Sequence, residues 1–240
     1  MKPATLLTLQ NLKPCRIIKR DTRFTVKVSL NGREELALLR NTGRLHDLIY
    51  HDAPALCTPR PPGGKTRYLL VGVSIAGSSV ALIDPKIQCE AFEQASSRGL
   101  IPWLRDWHID RTEVVVEDSR IDYSIRSVTG EQGFLETKSA VHFTGYYAMY
   151  PDCPSERGRR HIRVLSDLRR RGHRSVLTFI AAHPSAEAFT PDIESDPKLA
   201  SELLHASQEG VEVYAVKMSL DKASVVLMNP QIPVYQPDVP

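Results

Sequence analysis

The chain has 240 residues, 42% of them hydrophobic and 25% charged, with a formal net charge of +3. That is enough apolar material to bury a sizeable core in one large or two small domains, and it excludes disorder and collagen-like repetition. No apolar run approaches the ~18 residues of a membrane span, so no membrane partner is expected. The segment up to Gln10 has Thr and Gln inside its apolar stretch and no small-residue cleavage site after it, which argues against export. Cys15, Cys57, Cys89 and Cys153 include no C-x-x-C pair, so free thiols in a reducing cytoplasm are expected. Charge is unevenly placed: residues 1–83 hold 13 Lys+Arg against 5 Asp+Glu, a net +8, and residues 84–240 hold 18 against 23, a net −5. The split points to a basic, nucleic-acid-facing amino-terminal half.

Residues 1–83 read as short strands, at 16–19, 24–30, 35–39, 68–75 and 79–83. Asn31-Gly32 lies between two of them as a two-residue hairpin signal, because both positions tolerate positive φ. Five short strands suggest a small barrel. Four prolines and two glycines between Asp52 and Thr66 predict a loop there rather than a regular element.

From residue 84 the pattern changes to α/β. Asp84-Pro85 supplies a capping side chain followed by Pro at the first helical position, and Gly99 stands where a left-handed residue ends a helix. Asp196-Pro197 and Gly210 repeat that punctuation. Between them, strands are expected at 112–117, 119–126 and 133–143, then a helix over 155–171 and a buried strand over 175–182. Pro230, Pro233, Pro237 and Pro240 predict an extended, poorly ordered tail. The expected organisation is thus a barrel domain at 1–83, an α/β domain at 84–228 and a proline-rich tail at 229–240.

The chemistry-bearing region is Ser119-Arg120-Ile121-Asp122-Tyr123 followed by Leu135-Glu136-Thr137-Lys138-Ser139. Strand alternation puts Asp122 with Arg120 and Ser124, and Ile121 with Tyr123 and Ile125 on the other face. Glu136 and Lys138 share a face. A turn centred near Thr129-Gly130 brings Asp122 opposite Glu136, with β-carbons about 5 Å apart. Like charges so placed repel, and a divalent cation between them converts repulsion into binding; Mg²⁺ needs only one or two carboxylates plus water and substrate phosphate. Lys138 could orient or deprotonate a water, or stabilise charge developing on a phosphodiester. The chemistry implied is metal-assisted phosphodiester hydrolysis, against the blander reading of a solvated hairpin face.

Arg157 to Arg174 holds eight Arg and two His against one acid, Asp167. Ile162, Leu165 and Leu168 mark its apolar side, with Arg159, Arg160, Arg163, Arg170 and His161 around the rest. Arg suits bidentate phosphate contact, although an Arg-rich face paired with neighbouring acids is the competing reading. Trp103 and Trp107 read as packing residues before base-stacking ones. His46 and His51 have neither helical nor strand metal-pair spacing.

Several motifs together resemble the sugar fermentation stimulation protein A family. They are Asn41-Thr42-Gly43-Arg44, Ser119-Arg120-Ile121-Asp122-Tyr123, Glu136-Thr137-Lys138-Ser139, Tyr150-Pro151-Asp152, Glu156-Arg157-Gly158-Arg159-Arg160-His161, Asp196-Pro197 and Gly210-Val211-Glu212-Val213. The resemblance implies an OB-type barrel joined to a restriction-endonuclease-like domain of the PD-(D/E)xK class, in a DNA-binding protein linked by name to sugar use. It implies Asp122 and Glu136 as ligands of one or two Mg²⁺ or Mn²⁺ ions, Lys138 as the catalytic lysine, and Arg157 and His161 facing the scissile phosphate. Asp152, Glu156 and Glu113 are further candidate acids. Arg44, Arg120, Arg157, Arg159, Arg160 and Arg163 are the candidate nucleic-acid contacts. Arg40 departs from the family's usual Pro before Asn-Thr-Gly, and Asp84-Pro85-Lys86 from its usual Asp-Thr stretch. Two further readings are an active Mg²⁺-dependent endonuclease, and a non-catalytic regulator whose carboxylates serve only the fold.

Overall fold

The computed structural model describes residues 3–76 and 79–235; Pro237 and Pro240 of the expected tail lie outside the described residues. Strand β1 (Ala4–Thr8) does not enter the barrel. The barrel is made by β2 (Lys13–Thr22), β3 (Thr25–Leu30), β4 (Arg33–Leu38), β5 (Pro54–Pro59) and β6 (Tyr68–Ala76). β3 pairs antiparallel with β2 and β4, β5 pairs antiparallel with β2 and β6, and a parallel β4–β6 pairing at Ala37 and Leu38 closes the ring. Alternate residues Val26, Val28 and Leu30 fill its interior, as period-2 patterning requires. Asn31 and Gly32 both take positive φ, 52° and 76°, in the tight β3–β4 hairpin.

The expected loop at 52–66 contains a strand. β5 escapes the proline rule because Pro54 and Pro59 occupy its two ends, leaving Ala55 to Cys57 to pair on both sides. Cys15 and Cys57 meet in the barrel core with sulfurs 3.2 Å apart, and none of the four cysteines is in a disulfide.

β7 (Ser79–Leu82) carries the barrel sheet into the second half. There follow α1 (Pro85–Ser97), a 3₁₀ turn (Pro102–Leu104), β8 (Trp107–Val116), β9 (Ser119–Ser127), β10 (Gln132–Ala140), β11 (His142–Thr144), β12 (Tyr147–Tyr150), α2 (Glu156–Arg170), β13 (Arg174–Ala181), β14 (Ala188–Pro191), α3 (Pro197–Gln208), β15 (Glu212–Asp221) and β16 (Ser224–Ile232). The main sheet runs β15-β13-β10-β9-β8, with β15, β13 and β10 parallel to one another. β11, β12 and β14 form a separate small sheet; strands of three and four residues are too short to show a period in sequence.

Both proline helices begin as their sequences direct. Asp84 accepts from the Ile87 amide and Asp196 from the Leu199 amide, while Gly99 and Gly210 take positive φ just beyond the ends. β13 is buried on both faces: Val176 and Ile180 belong to the core cluster that includes Phe92 of α1, and Leu177 and Phe179 to the cluster of Ile162 and Leu165 of α2. No helix among the described residues is long and apolar enough to cross a membrane.

The expected tail is shorter than 229–240, because β16 continues through Ile232. Pro230 is accommodated where the β15–β16 register shifts, a bulge that asks no amide of it. β16 also pairs with β1, so the two ends of the described chain share a ribbon.

Candidate metal and nucleic-acid site

The β9–β10 hairpin keeps the expected register, with Leu135 opposite Tyr123 as its last regular pair. The next pair is Asp122 and Glu136, and here side chains replace the ladder. The Asp122 amide donates to Glu136 Oε2 at 3.0 Å. Reciprocally, Asp122 Oδ2 accepts from the Thr137 amide at 2.8 Å and from Thr137 Oγ1 at 2.5 Å. Across β9, Glu113 holds a left-handed φ of 52°, and the β8–β9 pairing skips from Thr112 to Val114 opposite Asp122. The sheet is opened on both sides of one aspartate. One expectation about faces fails as a result: Ile121 packs in the core cluster with Phe134, whereas Tyr123 and Ile125 pack in the cluster with Leu135. Strand alternation breaks at Asp122, where the ladder is interrupted on both sides.

Glu136 is buried, and Lys138 and His161 both press on its Oε1. Lys138 Nζ is 3.0 Å from His161 Nδ1, and Arg157 Nε donates to His161 Nε2 at 3.4 Å. With Nε2 accepting, the ring proton belongs on Nδ1, where it is donated to Glu136. Burial alone would raise the Glu136 carboxyl, but the Lys138 charge and the His161 hydrogen bond outweigh it and hold it below the usual glutamate range. Lys138 is the mirror case: burial opposes its charge, and the Glu136 carboxylate more than restores it. Asp122 moves the other way, raised by burial and then by the Glu136 charge, with Lys138 and Thr137 compensating only in part.

This group lies in a cleft of about 720 Å³ between the barrel and the α/β half. Asn41-Thr42-Gly43 forms part of the barrel wall. Asn41 Nδ2 donates to the Ile83 carbonyl, and the Leu45 amide donates to Asp152 Oδ2 at 2.8 Å. Gly43 is required because an added Cβ would run into the Asp152 carboxylate. Asp152 therefore ties a barrel loop to the other half instead of joining the acidic pair. Arg40, one departure from the family pattern, meets Asp84, the first residue of the other departing stretch, at 2.6 Å at this same corner. A basic side chain at one position answers a buried acid at the other.

Among the described residues no three His, Cys, Asp or Glu side chains converge as a ready-made metal cage. The two carboxylates are nonetheless hard oxygen donors of the kind Mg²⁺ or Mn²⁺ takes, and one Asp122 oxygen is free of protein hydrogen bonds among the described contacts. A cation completed by water and phosphate fits this donor set.

The arginines separate into two groups. Arg157 lines the cleft and touches His161. Arg159 grips both oxygens of buried Asp196 at 2.6 Å and also bonds Glu156; Arg163 bonds Glu156 and Glu202; Arg170 bonds Glu209. For these three the paired-face reading holds, because α3 lays its acids beside α2. Glu156, at the rim of the cleft, is engaged by Arg159 and Arg163. Arg44 and Arg120 are exposed outside the cleft lining, and Arg120 lies 3.7 Å from Glu113. Arg160 is half-buried. Glu113 is likewise exposed on β8 and does not reach Asp122's cluster. Trp103 stacks on Tyr214 at 4.3 Å and Trp107 lies under Arg174, both in packing roles.

Sequence patterns missed the barrel's share of the cleft, contributed by Arg23, Phe24 and Arg40. Nothing local marks them. An exposed Phe beside an Arg in a strand turn is the one signal available.

The second half matches the family model described as the sugar fermentation stimulation protein RE domain over residues 86–224, and the first matches the SfsA N-terminal OB domain over 18–83. The chain belongs to the sugar fermentation stimulation protein family. A homolog of that name from Pyrococcus furiosus is 40% identical over 229 residues, covering 95% of this chain and 98% of the relative; one from Archaeoglobus fulgidus is 41% identical over the same shares. The structure of Pyrococcus furiosus SfsA in complex with Ca²⁺ superposes with a TM-score of 0.91 at 39% identity, over 97% of this chain and 99% of that one. An OB barrel followed by a restriction-endonuclease-like domain is thus the fold of this family member.

Proposed function

We propose that this SfsA-family chain is a DNA-binding protein of the reducing cytoplasm whose cleft holds one or two divalent cations, Mg²⁺ or Mn²⁺, at Asp122 and Glu136, and hydrolyses phosphodiesters there. The observation that carries the reading is the meeting of these carboxylates with Lys138 and His161 on the floor of the interdomain cleft. The Ca²⁺ held by the Pyrococcus furiosus protein supports a hard-cation site in this family. When bound, the cation would supply charge neutralisation on the phosphate. Asp122, with its free oxygen and its burdened negative charge, is the primary ligand. Glu136 anchors Lys138 as an ammonium, positioned to stabilise negative charge developing on the phosphoryl oxygens. His161 fixes the Glu136 carboxylate, and Arg157 at the cleft wall is placed to meet an incoming phosphate. The amino-terminal excess of basic charge brings the strand to the cleft.

Incubation with supercoiled plasmid and Mg²⁺ tests this. The wild-type protein nicks, and Asp122→Ala and Lys138→Ala lose at least two orders of magnitude of rate. Undiminished nicking by both variants removes the site. A second reading has its own observation: Lys138 and His161 both bear on Glu136 as partners of a buried structural carboxylate would. In that reading the carboxylates serve only the fold of a DNA-binding regulator, no divalent cation supports nicking, and Asp122→Asn binds DNA as well as wild type or better.

A further inference from the structure

We propose that the β2–β3 turn of the barrel is a stacking platform on which Phe24, backed by Arg23, takes an unpaired base of a DNA strand whose phosphate lies at Asp122, Glu136 and Lys138. The inference rests on the DNA reading above and adds the substrate class: single-stranded or locally unpaired DNA.

Phe24 is 54% exposed, and of the exposed aromatic residues among those described it alone lines the cleft. More than half of the phenyl ring's residue surface is left in water, yet the backbone beneath it is held firmly. The Phe24 amide donates to Thr22 Oγ1 and its carbonyl accepts from the Leu39 amide at 2.8 Å. Arg20 donates to the carbonyls of Thr22 and Arg23 on this turn and of Gly43 and Arg44 on the neighbouring loop. One guanidinium therefore locks the two barrel segments that wall the cleft. Arg20 is a positioning residue, and the ring it helps present has only two side-chain torsions left to order on binding.

The chemistry around the ring suits a nucleotide. The Arg23 guanidinium lies 5.8 Å from the Phe24 centroid, and both face a cleft whose other wall holds Lys138 and Arg157. An aromatic face with an arginine beside it, across from phosphate-handling groups, is the combination that sequence-tolerant single-strand binders use. A cleft of about 720 Å³ has the size of a small-ligand pocket. A base can reach Phe24 only after leaving its stack.

The test is fluorescence anisotropy of full-length protein with a labelled single-stranded oligonucleotide and with the fully paired duplex of the same sequence, in Ca²⁺. Wild type favours the single strand. Phe24→Ala weakens single-strand binding about tenfold and leaves duplex binding unchanged, while Phe24→Trp retains wild-type affinity. Because Phe24 is exposed, an unaltered melting curve certifies the Ala variant's fold. Wild-type protein that shows Phe24-dependent single-strand binding but does not nick overturns the cleavage reading and leaves the platform standing. Equal single-strand affinity in wild type and Phe24→Ala overturns the platform alone. Failure of the wild type to bind either DNA overturns the DNA reading and the platform with it.

Discussion

The inner end and the outer face of helix α2 carry the same kinds of residue and do opposite things. On the outer face Arg159, Arg163 and Arg170 are matched by acids of α2 and α3, mostly within reach of water. At the inner end Arg157 and His161 join Lys138 around a single buried glutamate, and Asp122 stands beside it with its charge disfavoured. Exposed pairs are screened and contribute little, whereas a buried charge must be compensated by named partners. Charge count along a helix therefore says little about phosphate binding; what matters is whether acids of another element have already claimed the cations.

The largest break in that contrast should come from Glu136→Ala, which leaves Lys138 buried without its counter-charge. We expect a loss of about 3–5 kcal/mol in denaturant unfolding, as for removal of one partner of a buried pair. A loss no greater than that of a surface substitution would show that water reaches Lys138. Next in size is Asp122→Asn. The folded Asp122 carboxyl titrates above its unfolded range, so its ionised form opposes folding, and the penalty develops as pH rises from the ordinary aspartate range through the raised folded value. The Asn variant should melt a few degrees higher than wild type at neutral pH, and the gap should close on acidification. Glu136 has the opposite sign: its contribution is present above the ordinary glutamate range and is lost as pH falls through its lowered folded value. Calorimetry across pH 3–7 separates the two.

Smaller effects sharpen the comparison at the helix itself. Arg157→Ala should flatten the dependence of log DNA affinity on log salt by about one unit of slope, while Arg163→Ala leaves it unchanged. Equal slopes in both variants would erase the distinction between inner and outer arginines. The smallest effect is expected at the corner where His142 faces Asp47 of the barrel and Asp192 of the α/β half. Its imidazole is raised chiefly by Asp47, so this link is full below the usual histidine range and fades as pH rises through the folded value. His142→Ala should remove a slight alkaline loss of stability seen in wild type.

Much of this was legible because it is local. Asp84-Pro85 and Asp196-Pro197 start helices by side chains reaching three residues ahead, and Asn31-Gly32 turns a hairpin by its own φ preferences. The Asp122–Glu136 encounter was legible for the same reason, since a short antiparallel hairpin fixes which residues face each other. What was not legible depends on distant partners. β5 hid behind prolines that lie at its ends, and β16 absorbed Pro230 at a bulge set by β15. The role of Asp152 depends on a glycine more than a hundred residues away in sequence.

By itself the sequence determined the class of each half, the caps, the hairpin register and the identity of the acidic pair, because each follows from neighbours a few residues apart. Tertiary structure alone decided which arginines are left unpaired by acids, that Arg40 answers Asp84, and that Phe24 of the barrel lines the same cleft as Lys138. Those outcomes rest on burial and on partners from other elements, and desolvation and counter-charge are properties of a packed molecule.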